Sequence, residues 1–179
     1  MKVVILIALL VASAWASGTE EPGDLSSESS TTASPSSISF LPFLIYDDRF
    51  ALGTFAKVNW FQAQATCASY GYTLASISSE FDQQRIRNFF YTRGHSQLHL
   101  LNQPIWTSGT DLADTNNWVW FSNGRSFTYR NFQSDSPNYS NGSCLGVNGI
   151  TSLWLNENCS NQHYFLCERR CAEGADYYS

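Results

Sequence analysis

Residues 134–144 read SDSPNYSNGSC and gather polar side chains suited to two kinds of chemistry. Amides and hydroxyls dominate the stretch, and Asp135 is its one carboxylate. Such a loop offers polar contacts to a ligand. It also carries two N-x-S sequons, at Asn138 and Asn141, where a secreted chain accepts a glycan. A third sequon begins at Asn158. The residues alone leave open whether this loop binds something or has something attached to it.

Little else in the chain carries chemistry. Five cysteines, Cys67, Cys144, Cys159, Cys167 and Cys171, show no C-x-x-C spacing. His95, His99 and His163 do not cluster with them, which speaks against a zinc site. Scattered serines and three histidines come with no nucleophile motif, which speaks against an enzyme. In an oxidising compartment the cysteines read as disulfides with one left over.

The opening residues predict that compartment. MKVVILIALLVASAWA has Lys2, an apolar run from Val3 to Val11, and small residues at Ala14 and Ala16. This is the pattern of a secretory signal peptide over residues 1–16. The run is short for a bilayer span of about 20 residues, and no other stretch is apolar enough to cross a membrane. The expectation is a secreted, extracellular protein. The formal net charge is −5, with acids concentrated in the N-terminal stretch (Glu20, Glu21, Asp24, Glu28) and the tail (Glu173, Asp176). Between them acids and bases nearly balance, so there is no basic footprint for nucleic acid and no polybasic patch for a membrane.

The elements that must position the polar loop lie between these ends. Residues 17–39 are rich in Ser and Thr and lack aromatics, which predicts a flexible stalk open to O-glycosylation. The division is a linker leading into the domain over 17–44, one domain over 45–169, and a tail over 170–179. A first helix is expected in NWFQAQATCASYG, capped by Asn59, ended by Gly71, with Phe61, Ala65 and Ala68 at helical spacing. LASI (Leu74–Ile77) has strand length. A second helix starts at Ser79 and Asp82 with an apolar stripe of Ile86, Phe89 and Phe90. Asn123-Gly124 sits between alternating aromatic runs, a hairpin signal, and HYFLCE reads as a last strand. Helices followed by antiparallel strands indicate an α+β fold.

Taken in order, these features resemble the C-type lectin domain. They are a first helix ending in Cys67, the phrase LASISSEFDQQRI, the turn IWTSG, the hairpin WVWFSNGRSFTYRNF, Trp154 five residues before Cys159, and HYFLCE with Cys167. The likeness covers about residues 45–169. It implies a C-type lectin-like fold of two helices with antiparallel strands, a long ligand loop and two disulfides, Cys67–Cys167 and Cys144–Cys159. Trp106, Trp118, Trp120 and Trp154 are read as core. Cys171 is then the odd cysteine; its expected use is an intermolecular disulfide, to a second copy in a disulfide-linked dimer or to another secreted chain, and the alternative is a capped or idle thiol. Asn158, beside the paired Cys159, is expected to be poorly accessible to glycosylation.

The family implies extracellular recognition, often of sugars, through a calcium ion on the long loop. In the family, carboxylates and amides of two triplets and an acid supply the calcium ligands. Here Ser136-Pro137-Asn138 stands at the first triplet, Gly142 at the acid, and Trp154-Leu155-Asn156 at the second triplet. The resemblance thus offers Asn138 and Asn156 as metal ligands. Asp135, Ser136, Asn138, Asn156 and Glu157 are the candidates for ligand binding, although Asp135 and Glu157 stand off the family positions. A site of neutral amides is expected to hold calcium weakly or not at all. The expected function is a secreted lectin that recognises glycans or glycoproteins through a weakened or altered calcium-dependent site. The alternative is a calcium-independent module with a protein ligand.

Overall fold

The computed structural model of the chain describes residues 43–138 and 142–169. The segments expected to be a signal peptide and a stalk, together with Asn141 and Cys171, lie outside the described residues.

Asn59 caps the first helix, α1 (Trp60–Ser69), through a capping box with Gln62. The face that α1 buries differs from the expected one. Trp60, Ala63 and Cys67 point inward, while Phe61 is 55% exposed and Ala65 and Ala68 face solvent. Two anchors turn the helix this way: the Cys67–Cys167 disulfide and the Trp60 indole N–H, which donates to the Thr107 carbonyl at 2.8 Å. Helix α2 (Glu80–Arg93) begins at Ser79, whose hydroxyl accepts from Asp82 N–H, and buries Ile86, Phe89 and Phe90 as expected. A 3-10 turn (His95–Gln97) and a short helix, α3 (Leu98–Leu101), follow where no helix was expected.

The strands are β1 (Phe43–Tyr46), β2 (Phe50–Val58), β3 (Tyr72–Leu74), β4 (Pro104–Thr110), β5 (Val119–Trp120), β6 (Arg125–Ser126), β7 (Cys144–Asn148), β8 (Trp154–Glu157) and β9 (His163–Arg169). Strand β3 lies slightly before the expected LASI run. The main path runs β1-β2-β9-β4-β5-β6, with β3 on β9, and β7 joining β4 to β8. Every pair is antiparallel except β4 with β9, which is parallel. Asn123-Gly124 does turn the β5–β6 hairpin, with both N–H groups donating to the Trp120 carbonyl.

One core cluster forms around Trp118, Trp120 and Trp154, with Phe127 stacked on Trp120 at 4.2 Å. A second holds Trp60, Trp106, Phe165 and the disulfides. All four tryptophans read as core are 1% exposed or less. The disulfides join Cys67 to Cys167 and Cys144 to Cys159, separated by 100 and 15 residues. By loop entropy such links restrict the unfolded chain by about 5 and about 3 kcal/mol respectively. The second ties β7 to the end of β8, which is where the polar loop lands.

Candidate functional site

Strand β8 organises the site through its alternation: Trp154 and Asn156 point inward, Leu155 and Glu157 are half-buried on the other side. Trp154 anchors the strand. Its indole N–H donates to Gln83 Oε1 at 2.7 Å, and Gln83 Nε2 donates to the Ser152 carbonyl at 2.9 Å. The segment before the polar loop is laid along the same strand. Asn131 O accepts from Trp154 N–H, Gln133 N–H donates to Trp154 O, and Phe132 bridges Trp154 in parallel. A turn follows, with Ser136 N–H donating to Gln133 O at 3.0 Å. This run carries the chain to Asn138, directly over Asn156.

Asn156 is 1% exposed, and its amide is engaged at both ends. Its Oδ1 accepts from Asn138 N–H at 2.7 Å. Its Nδ2 donates to the Asn138 and Gly142 carbonyls, each at 2.6 Å. One donor faces the oxygen and two carbonyls face the nitrogen, so the network fixes which end of the amide is which. Gly142 completes the contact. Its φ is +119°, and an added Cβ would stand 2.5 Å from the Glu157 carbonyl and 2.6 Å from Asn158 Cα. Only a residue without a side chain lies this flat on β8.

Of the candidate residues, the structure brings Asn138 and Asn156 together and does not bring the two carboxylates to them. Asp135 is exposed and accepts from the Ser134 hydroxyl at 2.9 Å. Glu157 accepts from Asn161 Nδ2 at 2.6 Å and lies 3.8 Å from His163 Nε2. Burial pushes His163 below the ordinary imidazole value, against the upward pull of the Glu157 carboxylate. Asn158 is exposed, contrary to the accessibility expected of it, and its Oδ1 accepts from Ser160 N–H in a local turn.

Asp111 is a residue the sequence reading missed. It ends the run of β4, is 4% exposed, and lies beside the loop: its N–H donates to the Ser143 carbonyl. Its Oδ2 accepts from Asn116 N–H at 3.0 Å, and its Oδ1 has no hydrogen-bond partner among the described residues. The signal available was a lone acid closing the apolar phrase IWTSGT.

These residues do not fit a calcium ion at the loop. Calcium takes six to eight oxygens, several of them carboxylates. The Asn156 oxygen is engaged with an N–H, and its nitrogen occupies the point toward which two carbonyls aim. Gly142 and Leu155 bring no side-chain oxygen. Asp111 offers a single one, and among the described residues no three His, Cys, Asp or Glu side chains converge. What the arrangement does offer is Asn138 and Gly142 held to β8 by backbone and amide groups.

Comparison with known proteins places this geometry. A family model described as the lectin C-type domain matches residues 56–169. The chain is 26% identical over 124 residues to "C-type lectin mosGCTL-7" of Culex quinquefasciatus, covering 63% of this chain and 69% of that protein. It is 30% identical over 134 residues to "Regenerating islet-derived protein 4" of Homo sapiens, covering 72% and 80%. The fold matches the mouse scavenger receptor C-type lectin carbohydrate-recognition domain with a TM-score of 0.57 at 22% identity, over 73% of this chain and 96% of that one.

Proposed function

The chain belongs to the C-type lectin domain family, and from that premise we propose that it is a secreted glycan-recognition protein whose calcium site is altered. The observation that carries the reading is the position of Asn138 and Asn156. They meet at the long loop of a lectin-type recognition module, with an amide where the family pattern has a carboxylate. Glycans or glycoproteins are the ligands, met outside the cell after removal of residues 1–16. No described helix is long and apolar enough to cross a membrane. The protein acts by binding and not by catalysis. With no fit for calcium at the loop, hydroxyl recognition rests on direct hydrogen bonds from exposed polar side chains of the loop such as Asp135. Glycan-array binding of the secreted protein with and without EDTA tests this: binding retained in EDTA supports it, and binding abolished by EDTA overturns the altered-site reading.

A second reading, a calcium-independent module with a protein ligand, has its own support. Phe61 and Phe121 are 55% and 63% exposed, and both rings stand edge-on to Trp60 at 5.4 and 5.5 Å. Exposed aromatics beside each other on a rigid helix and hairpin are the material of protein contacts. An empty glycan array, together with a partner whose capture is lost in Phe121→Ser, would favour this reading over the first.

A further inference from the structure

We propose that Asn156 does with one buried amide what a bound cation does elsewhere: it holds Asn138 and Gly142 together against β8, so that the recognition loop is braced without metal. The inference rests on the reading of this loop as the recognition site. It makes Asn156 a positioning residue, acting through the two backbone positions it joins.

The argument starts from atoms. Two carbonyl oxygens, of Asn138 and Gly142, aim at one point, and both lie 2.6 Å from Nδ2. Carbonyls so placed need positive charge or hydrogens between them. The two amide hydrogens supply them, one to each carbonyl. The Oδ1 end then takes the Asn138 N–H at 2.7 Å, so Asn138 is gripped through both its backbone groups. With 1% of its surface exposed, Asn156 has no room to exchange these partners for water.

A carboxylate in the same place would behave in the opposite way. Its second oxygen would face the two carbonyls with no proton between them, a buried charge among acceptors. That trio of oxygens is stable only with a proton or a cation among them. An amide at 156 therefore closes the loop by itself, and a carboxylate at 156 needs a proton or a cation to do so. Gly142 is an independent sign that the closure is built in. Its carbonyl reaches Nδ2 because its backbone lies against Glu157 and Asn158, where any Cβ would collide.

The test uses the full secreted chain and needs no sugar. Amide hydrogen exchange is followed at Asn138 N–H and at Leu166 N–H in the core, in EDTA and in millimolar calcium. Wild type is expected to protect Asn138 equally in both. Asn156→Ala is expected to lose at least tenfold protection at Asn138 while Leu166 is unchanged. Asn156→Asp is expected to melt below wild type in EDTA, with the deficit shrinking as the pH falls and the carboxyl takes up a proton, a response a merely structural side chain would not confer. Loss of Asn138 protection in wild type on adding EDTA overturns the proposal, as do full protection in Asn156→Ala or an Asn156→Asp deficit indifferent to pH. Should Asn156→Asp fail to fold, the wild-type and Asn156→Ala exchange decides. Failure on a glycan array would remove the lectin reading and leave these results standing, so the two failures are distinct.

Discussion

Gly142 gives the sharpest test of how the loop is held. Its φ of +119° is a region that residues with a side chain adopt at about 1–3 kcal/mol of strain. A Cβ there would meet Glu157 O at 2.5 Å, Asn158 Cα at 2.6 Å and Asn158 N at 2.7 Å, all backbone. Backbone cannot rotate away as a side chain does, and the Cys144–Cys159 disulfide limits how far the two strands separate. Forcing extra atoms into such packing costs about 1–3 kcal/mol more. Gly142→Ala should therefore lose about 2–6 kcal/mol, read in denaturant titrations. For a domain of this size that lowers the thermal midpoint by roughly 6–20 °C. Gly142→Glu, which restores the acid of the family pattern, should be destabilised at least as much and gain no calcium affinity in calorimetric titration. If Gly142→Ala stays within about 0.5 kcal/mol of wild type, or Gly142→Glu creates a calcium site, the loop does not lie closed on β8.

Other outcomes follow from the same contacts. Gln83→Ala leaves the Trp154 indole N–H without a partner in the core, while the Ser152 carbonyl keeps only its bond from Asn131 Nδ2. It should cost at least about 2 kcal/mol by chemical denaturation; a loss below half that would mean the bridge is dispensable. His163 titrates below 6.5 when folded, so the unfolded chain binds the proton more readily. Stability should rise with pH from that lowered value up to about 6.5 and be flat in this group above it. His163→Gln should flatten that part of the pH profile, and an unchanged slope would place the dependence elsewhere. Mass spectrometry before and after glycosidase should find a glycan on Asn138 or Asn141, and the exposure of Asn158 makes it a third acceptor to check. Cys171, if it links two chains, should give a dimer on non-reducing electrophoresis that Cys171→Ser abolishes; monomer in both cases would refute the link.

The parts of the fold legible in the sequence were those set by local chemistry. Asn59 and Ser79 name the helix starts because each side chain caps the turn beside it. Asn123-Gly124 names its turn for a similar reason. The cysteine pairing came from family resemblance, since the spacing alone leaves several pairings open. Features fixed by distant partners were not legible. Phe61, Ala65 and Ala68 make as regular a stripe as Trp60, Ala63 and Cys67. Only Cys167 and Thr107, far along the chain, choose between them. HSQLHLL, which forms the 3-10 turn and α3, has no capping residue before it to announce a helix. The parallel pairing of β4 with β9 joins segments about sixty residues apart and leaves no local trace. At the loop the sequence named the missing carboxylates but not the work of the amide. That needs the positions of two carbonyls, and a sequence does not carry them. Glu157 looked able to reach the site, yet strand alternation turns it from Asn156 toward Asn161 and His163.

The two departures from the family pattern, Gly142 and Asn156, are one structural solution and not two separate losses. An amide at 156 is useful only if two carbonyls come within hydrogen-bond reach of its nitrogen. The Gly142 carbonyl does so because that residue has no Cβ to hold it off β8. Conversely, a glycine at 142 with a carboxylate at 156 would press a carbonyl against a buried negative charge. Each departure is unfavourable without the other. Double-mutant analysis should therefore find Gly142 and Asn156 coupled, with the loss in Gly142→Ala, Asn156→Ala smaller than the sum of the single losses. The strand itself needs no adjustment for this. Trp154 faces the same side two residues earlier, is held by Gln83 and Phe132, and fixes where the Asn156 amide points. The scaffold and the site thus meet on one strand. Its tryptophan belongs to the core, and its asparagine holds Asn138 and Gly142 together with the protein's own hydrogens.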